Sequence, residues 1–269
     1  MEIKEGRLER VYMGGTGQMY LLHGNNGDTY IYKPAVAKFS GKVEPFRGIV
    51  QECVYEIQKI VDPESAVACK YVDAGNLQGS VQELISTKEN SPNYYWMQRD
   101  ENSVFTDGEI RQFMREFVTD YLACNFDSHG NNFITDENGV IRGVDKEQAF
   151  RYLNDPRSLK PDMDYHPNIA YGENEPIYNT LFRRYIEGKV DIDFSVVSSC
   201  MDRVDAYNND DYRRIFMPYC EACSVAFGDD ALQKANKILD RKINMRTNIE
   251  TFFQNLTELR NINLSQKGK

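Results

Sequence analysis

No stretch of this 269-residue chain approaches the roughly 18 consecutive apolar residues that a membrane-spanning helix requires, so a transmembrane protein is excluded. The opening Met1-Glu2-Ile3-Lys4-Glu5 lacks the basic-then-apolar layout of a secretion signal. A soluble, cytoplasmic protein is expected, with export by a dedicated secretion machine left open. Soft metal ligands are scarce: there are three histidines and six cysteines, at 53, 69, 124, 200, 220 and 223. Cys220 and Cys223 form one C-x-x-C with no second pair, whereas structural zinc needs a full tetrahedral set. Buried thiols in a reducing compartment are the simpler expectation. A cationic surplus is missing too. The net charge of −9 gives no footing for general nucleic-acid binding, and none is expected. That charge is uneven, at −2 over residues 1–85, −12 over 86–230 and +5 over 231–269. The basic end reads as a solvated helix face or as a contact for a partner or an anionic surface. Internal repeats and low-complexity tracts are absent.

What is present is ample material for a core: 41% hydrophobic residues, with 14 Phe and 17 Tyr. Residues 8–13, 19–22 and 29–33 read as strands, the last an alternating Thr29-Tyr30-Ile31-Tyr32-Lys33 that Pro34 ends. Pro45 opens a helix with Ile49, Cys53, Ile57 and Ile60 at helical spacing, closing at Asp62-Pro63. Two further strands are predicted at 66–72 and 80–85, and residues 86–105 read as a loop. Asp107 is the expected cap of a helix whose apolar face is Ile110, Phe113, Phe117, Tyr121 and Leu122. A polar break at 125–132 precedes a short hairpin across Glu137-Asn138-Gly139. From about 175 to 260 the chain reads as helical, with a stripe through Leu232, Ala235, Ile238, Leu239 and Ile243. The expected class is α+β: an N-terminal part, 1–86, of five strands and one helix, then a larger helical part, 87–269.

Polar residues collect at the ends of these elements. Gly14, Gly15, Thr16 and Gly17 form either a plain hairpin turn or a loop whose backbone N–H groups approach phosphate, with Lys33 as the neutralising cation. Glu52, 19 residues after Lys33, is placed to pair with it, and Glu56, one turn on, competes for that role. In Asn125-Phe126-Asp127-Ser128-His129-Gly130-Asn131-Asn132, Asp127 could align or deprotonate a nucleophile, and Asn132 offers an oxygen suited to Mg²⁺. The same segment also reads as an ordinary Asx-rich turn. Asp145, 13 residues after Asn132, would bring a full negative charge to the same ion.

Taken in order, these pieces resemble the protein-kinase-like superfamily in its atypical branch, the HipA-type kinases and the phosphatidylinositol 3- and 4-kinases. The matching residues are Gly14-Gly15-Thr16-Gly17, Tyr30-Ile31-Tyr32-Lys33-Pro34, Gln51-Glu52, Val81-Gln82-Glu83-Leu84, Asp127-x-His129-x-x-Asn132, and Val144-Asp145 with Ala149-Phe150, together spanning roughly residues 8–150. The resemblance implies a bilobal fold with ATP between the lobes and Mg²⁺ as cofactor. Lys33 would then hold the α- and β-phosphates, with Glu52 orienting it. Gln82, Glu83 and Leu84 would face adenine. Asp127 would be the catalytic aspartate, His129 would match the lipid-kinase loop histidine and help the transferred phosphoryl group, and Asn132 and Asp145 would be the metal ligands. Two departures stand out. Ser128 replaces the arginine usual in lipid kinases, and Lys146-Glu147 replaces the Phe-Gly that follows the metal aspartate in ordinary protein kinases. The expected activity is phosphoryl transfer to a protein or peptide hydroxyl. The alternatives are a lipid kinase, nucleotidyl transfer, a nucleotide-binding pseudokinase acting as a regulatory module, and an unrelated α+β interaction protein. The oligomeric state is not readable.

Overall fold

A computed structural model describes residues 6–11, 18–25, 27–37, 40–75, 77–151, 153 and 175–267. The class is α+β. Five antiparallel strands, β1 (Gly6–Val11), β2 (Met19–Gly24), β3 (Thr29–Pro34), β4 (Cys69–Ala74) and β5 (Leu77–Glu83), form one sheet in the order β1-β2-β3-β5-β4. Helix α1 (Phe46–Val61) leaves β3 and returns to β4. The register fixes which side chains share a face. Lys33 lies opposite Ser80, and Ser80 opposite Tyr71. Tyr32 lies opposite Val81 on the other face, where Leu22, Val72 and Leu77 complete an apolar cluster.

Helix α1 sits on the Lys33 face, yet it does not dock there with its apolar stripe. Gln51 Nε2 donates to Ser80 Oγ at 2.8 Å, and Glu52 Oε2 accepts from the Tyr71 N–H at 2.8 Å. The stripe of Cys53, Val54, Ile57 and Val61 instead joins the large core made by the later helices. The sheet-facing side of α1 is therefore polar, and its apolar side faces the later helices.

The rest of the chain is helical around one short hairpin. It comprises α2 (Tyr94–Arg99), α3 (Asp107–Leu122), β6 (Phe133–Thr135), β7 (Ile141–Gly143), α4 (Ile177–Ile186), α5 (Phe194–Asp205), α6 (Asn209–Phe227) and α7 (Ala231–Lys267). Helix α2 falls inside the segment read as a loop. The buried Tyr94 and a capping Asn93 side chain hold this single turn and a half. Helix α3 is capped by Thr106, not Asp107, through a reciprocal capping box with Glu109. All five residues of its predicted apolar face are buried.

The predicted strands at 66–72 and 80–85 lie two to three residues off the observed pair. Residues 66–68 are apolar but serve as a bound lead-in, with Val67 N held by Gln58 Oε1 and Ala68 N by Glu83 Oε1. In α7 the buried stripe continues through Met245, Ile249 and Phe252, whereas Leu232 and Ile243 are exposed. All six cysteines are free and buried, and burial pushes the Cys220 thiol up to about 12. Among the described residues no helix is long and apolar enough to cross a membrane.

Candidate functional site

The site forms where the Lys33 face of the sheet meets the β6–β7 hairpin. Phe133 pairs with Gly143, so the residues just outside the ladder, Asn132 and Val144, also face one another. The Val144 N–H donates to the Asn132 carbonyl at 2.8 Å, which brings Asp145 beside Asn132. The hairpin is tied to the sheet end in turn. Arg142 donates to Asp136 Oδ2 and to the Ala66 carbonyl, and Gln58 of α1 donates to the Gly143 carbonyl at 3.1 Å.

The result is a direct contact between residues 112 apart in sequence: Lys33 Nζ to Asp145 Oδ1 at 2.9 Å. The lysine side chain is 14% exposed and the aspartate 40%. Burial works against the Lys33 charge, but the charge and hydrogen bond of Asp145 outweigh it and raise the ammonium above its ordinary pKa. Asp145 has a positive φ of 57°, a left-handed conformation that non-glycine residues adopt at a cost. Two nearby residues, Cys124 (φ 47°) and Phe150 (φ 60°), share this feature.

Asp127 and His129 lie on the loop between α3 and the hairpin. Burial, with Asp145 and Glu147 adding repulsion, pushes the Asp127 carboxyl up to about 6. His129 Nε2 is 3.4 Å from Asp127 Oδ1, and its Nδ1 is buried without a partner among the described residues. Burial lowers the imidazole pKa, Asp145 opposes this and Arg99 adds to it, so the ring is neutral near pH 7. The loop is shaped by close packing. Gly130 N donates to Gln98 Oε1 of α2, and a Cβ at Gly130 would lie 2.3 Å from the Tyr94 backbone.

Asn132 Nδ2 donates to the Asp127 carbonyl at 2.6 Å, which leaves Oδ1 as the atom free for a cation. A neutral amide oxygen and a carboxylate oxygen are hard donors of the kind Mg²⁺ takes, with water and phosphate completing its octahedron. Asn132 and Asp145 therefore fit the ion that the family resemblance implies. Among the described residues there is no cluster of three or more His, Cys, Asp or Glu side chains that would hold a metal by themselves.

Other predicted site residues are placed differently. Glu52 does not pair with Lys33, because its carboxylate is used by the Tyr71 N–H; Glu56 pairs with Lys59 on the exposed side of α1. Gln82 is paired on both sides in the sheet, and Glu83 bonds Ala68 through backbone and side chain, so both are committed to structure. Leu84, just beyond the ladder, is exposed. Gly14, Gly15, Thr16 and Gly17 lie outside the described residues.

Sequence reasoning missed a buried polar cluster under the loop: Glu116 and Asp120 of α3, Lys146, Ser128 and Tyr178. Lys146 Nζ lies 2.7 Å from Asp120 and 3.5 Å from Glu116. Burial lowers the Lys146 pKa, and the two carboxylates more than restore it. Complete burial pushes Glu116 up. A signal existed, since Glu116 and Asp120 stand four apart beside the apolar stripe of α3. Like charges at that spacing repel unless a cation separates them.

No protein-family model matches this chain, and no curated protein matches it. The kinase-like resemblance thus rests on the sequence motifs alone.

Proposed function

We propose that this chain is an ATP- and Mg²⁺-dependent phosphotransferase of kinase-like, bilobal build, with residues 1–86 as the smaller lobe and 87–269 as the larger, acting on a protein or peptide hydroxyl. One observation carries the reading: Lys33 from the sheet and Asp145 from the hairpin meet at 2.9 Å. The pairing spans 112 residues and brings a phosphate-type cation to a metal-type carboxylate.

Held between Asn132 and Asp145, Mg²⁺ would neutralise charge on the phosphates. Lys33 exchanges its Asp145 partner for phosphate oxygens. Asp127 takes the proton that the acceptor hydroxyl loses as its oxygen forms the new bond to phosphorus and the terminal phosphoryl group leaves ADP. A carboxyl with a pKa near 6 is ionised at neutral pH yet basic enough to share a proton in flight. Neutral His129 holds its Nε2 against Asp127 without adding a full charge. The net −12 of residues 86–230 repels anionic membrane surfaces and favours a protein acceptor over a lipid headgroup.

The test is incubation with γ- or α-labelled ATP and Mg²⁺, with lysate protein or with phosphoinositide vesicles. Label transferred from the γ position only, to protein, and abolished in Asp145→Ala, supports the proposal. Transfer from the α position indicates nucleotidyl transfer, and Mg²⁺-dependent ATP binding without turnover indicates a pseudokinase.

A further inference from the structure

We propose that Asp120 is the positioning residue of this site, a single carboxylate that sets the separation between the Asp127 loop and the Asp145 turn; this rests on the phosphotransferase reading. Asp120 lies in the last turn of α3 and is fully buried. Its Oδ1 accepts from Lys146 Nζ at 2.7 Å and from Asn125 Nδ2 at 3.0 Å. Its Oδ2 accepts from Ser128 Oγ at 2.5 Å and from Tyr178 OH at 2.7 Å. The Asp120 carbonyl also accepts the Asn125 N–H at 2.8 Å.

The location of these donors gives the cluster its meaning. Ser128 follows Asp127 directly and Asn125 precedes it by two residues, while Lys146 follows Asp145 directly. Tyr178 of α4 supplies the fourth donor and anchors the carboxylate to the helical core. Asp127 and Asp145 are thus each one residue from a hydrogen bond to the same carboxylate. A carboxylate with four donors has no freedom left to rotate, and the two acids inherit that rigidity. Phosphoryl transfer requires base and metal ligand to be held to within about 0.5 Å, and a 1 Å error costs on the order of a hundredfold. The serine found where lipid kinases carry arginine acquires a task, since Ser128 is the arm that reaches the catalytic loop.

The experiment uses the full chain with Asp120→Asn, Ser128→Ala and, as control, Lys242→Met. The control removes a buried lysine that donates to the Tyr207 carbonyl and Asn209 in a different part of the core. Turnover of γ-labelled ATP and amide hydrogen exchange are both measured at a temperature where all variants are folded. Asp120→Asn and Ser128→Ala are expected to lose roughly tenfold or more in kcat with KM for ATP within about threefold, the pattern of misplaced chemistry with intact binding. Asp120→Asn should also speed exchange in both 125–132 and 143–148. Lys242→Met should lower Tm and leave kcat unchanged.

A kcat within about twofold of wild type in both site variants would overturn the proposal, as would an equal kcat loss in the control. If Asp120→Asn fails to fold, the Ser128→Ala kcat decides. If the wild type turns over no ATP, the phosphotransferase reading fails separately. Exchange in Asp120→Asn then decides the positioning role: loosening of both segments together supports it, and loosening of only one contradicts it.

Discussion

Lys33 and Asp127 show how environment moves the pKa of ordinary side chains. Lys33→Met removes the only ammonium paired to Asp145 among the described residues. It should cost about 3 kcal/mol of transition-state stabilisation, roughly a hundredfold in kcat/KM, read from initial rates against ATP concentration. An unchanged kcat/KM would refute the role assigned to it. For Asp127, the folded-state pKa of about 6 lies above the usual value of 3.8. Activity that needs the carboxylate should therefore fall on the acid side with a midpoint near pH 6. The same shift has a sign for stability. A raised carboxyl pKa favours the folded state below the unfolded value, and this is lost as pH rises through 6. At pH 7.5 the ionised group is a liability, so Asp127→Asn should abolish turnover yet raise stability by about 1–3 kcal/mol, an advantage that vanishes below pH 4. Urea titrations at the two pH values check this.

Among elements, those whose pattern is purely local were legible in the sequence. The strand ending in Lys33, the helix with Ile57 and the hairpin after Asn132 all form where hydrophobic period and turn residues place them. The spacing of Asn132 and Asp145 was legible for the same reason, since a tight hairpin must return its ends to one place. What stayed hidden depends on how elements are rotated against one another. The apolar face of α1 was visible, but its turning toward the helices was not. That rotation delivers Glu52 to Tyr71 and leaves Lys33 to Asp145. Asp120 and Lys146 were hidden because a helix pattern does not announce which distant cation will fill a gap.

One glycine tests how tightly the hairpin is seated. A Cβ at Gly143 would stand 2.3 Å from Glu116 Oε2 and 2.8 Å from Lys146 Nζ. Gly143→Ala should destabilise by about 1–3 kcal/mol, as overpacked sites do, seen as a lower denaturant midpoint at constant m. A midpoint equal to wild type would show that the buried pair yields freely.

At the scale of the whole molecule, the described residues form one large apolar core and one small one. The large core takes α1 along with the later helices; the small one lies on the far face of the sheet. Cys53 Sγ donates to the Ile215 carbonyl and Arg203 caps the Val61 carbonyl, so α1 is fastened at its middle and at its end to helices α6 and α5. The polypeptide 1–86 made alone would expose Cys53, Val54, Ile57 and Val61 to water, and it should show no cooperative unfolding transition. A folded, well-dispersed NMR spectrum from that fragment would contradict this. In the full chain, α1 should exchange its amides together with α5 and α6 and more slowly than β1. The sheet thus reaches the hairpin through a helix that belongs energetically to the other part of the molecule, which holds sheet and hairpin together.

The most direct measurement is a crystal structure with Mg²⁺ and a non-hydrolysable ATP analogue. The triphosphate is expected between β3 and the β6–β7 hairpin, with Lys33 Nζ moved from Asp145 onto phosphate oxygens and the ion bound by Asn132 Oδ1 and Asp145. Nucleotide found elsewhere on the chain, or Lys33 still paired to Asp145 with no ion beside Asn132, would contradict it.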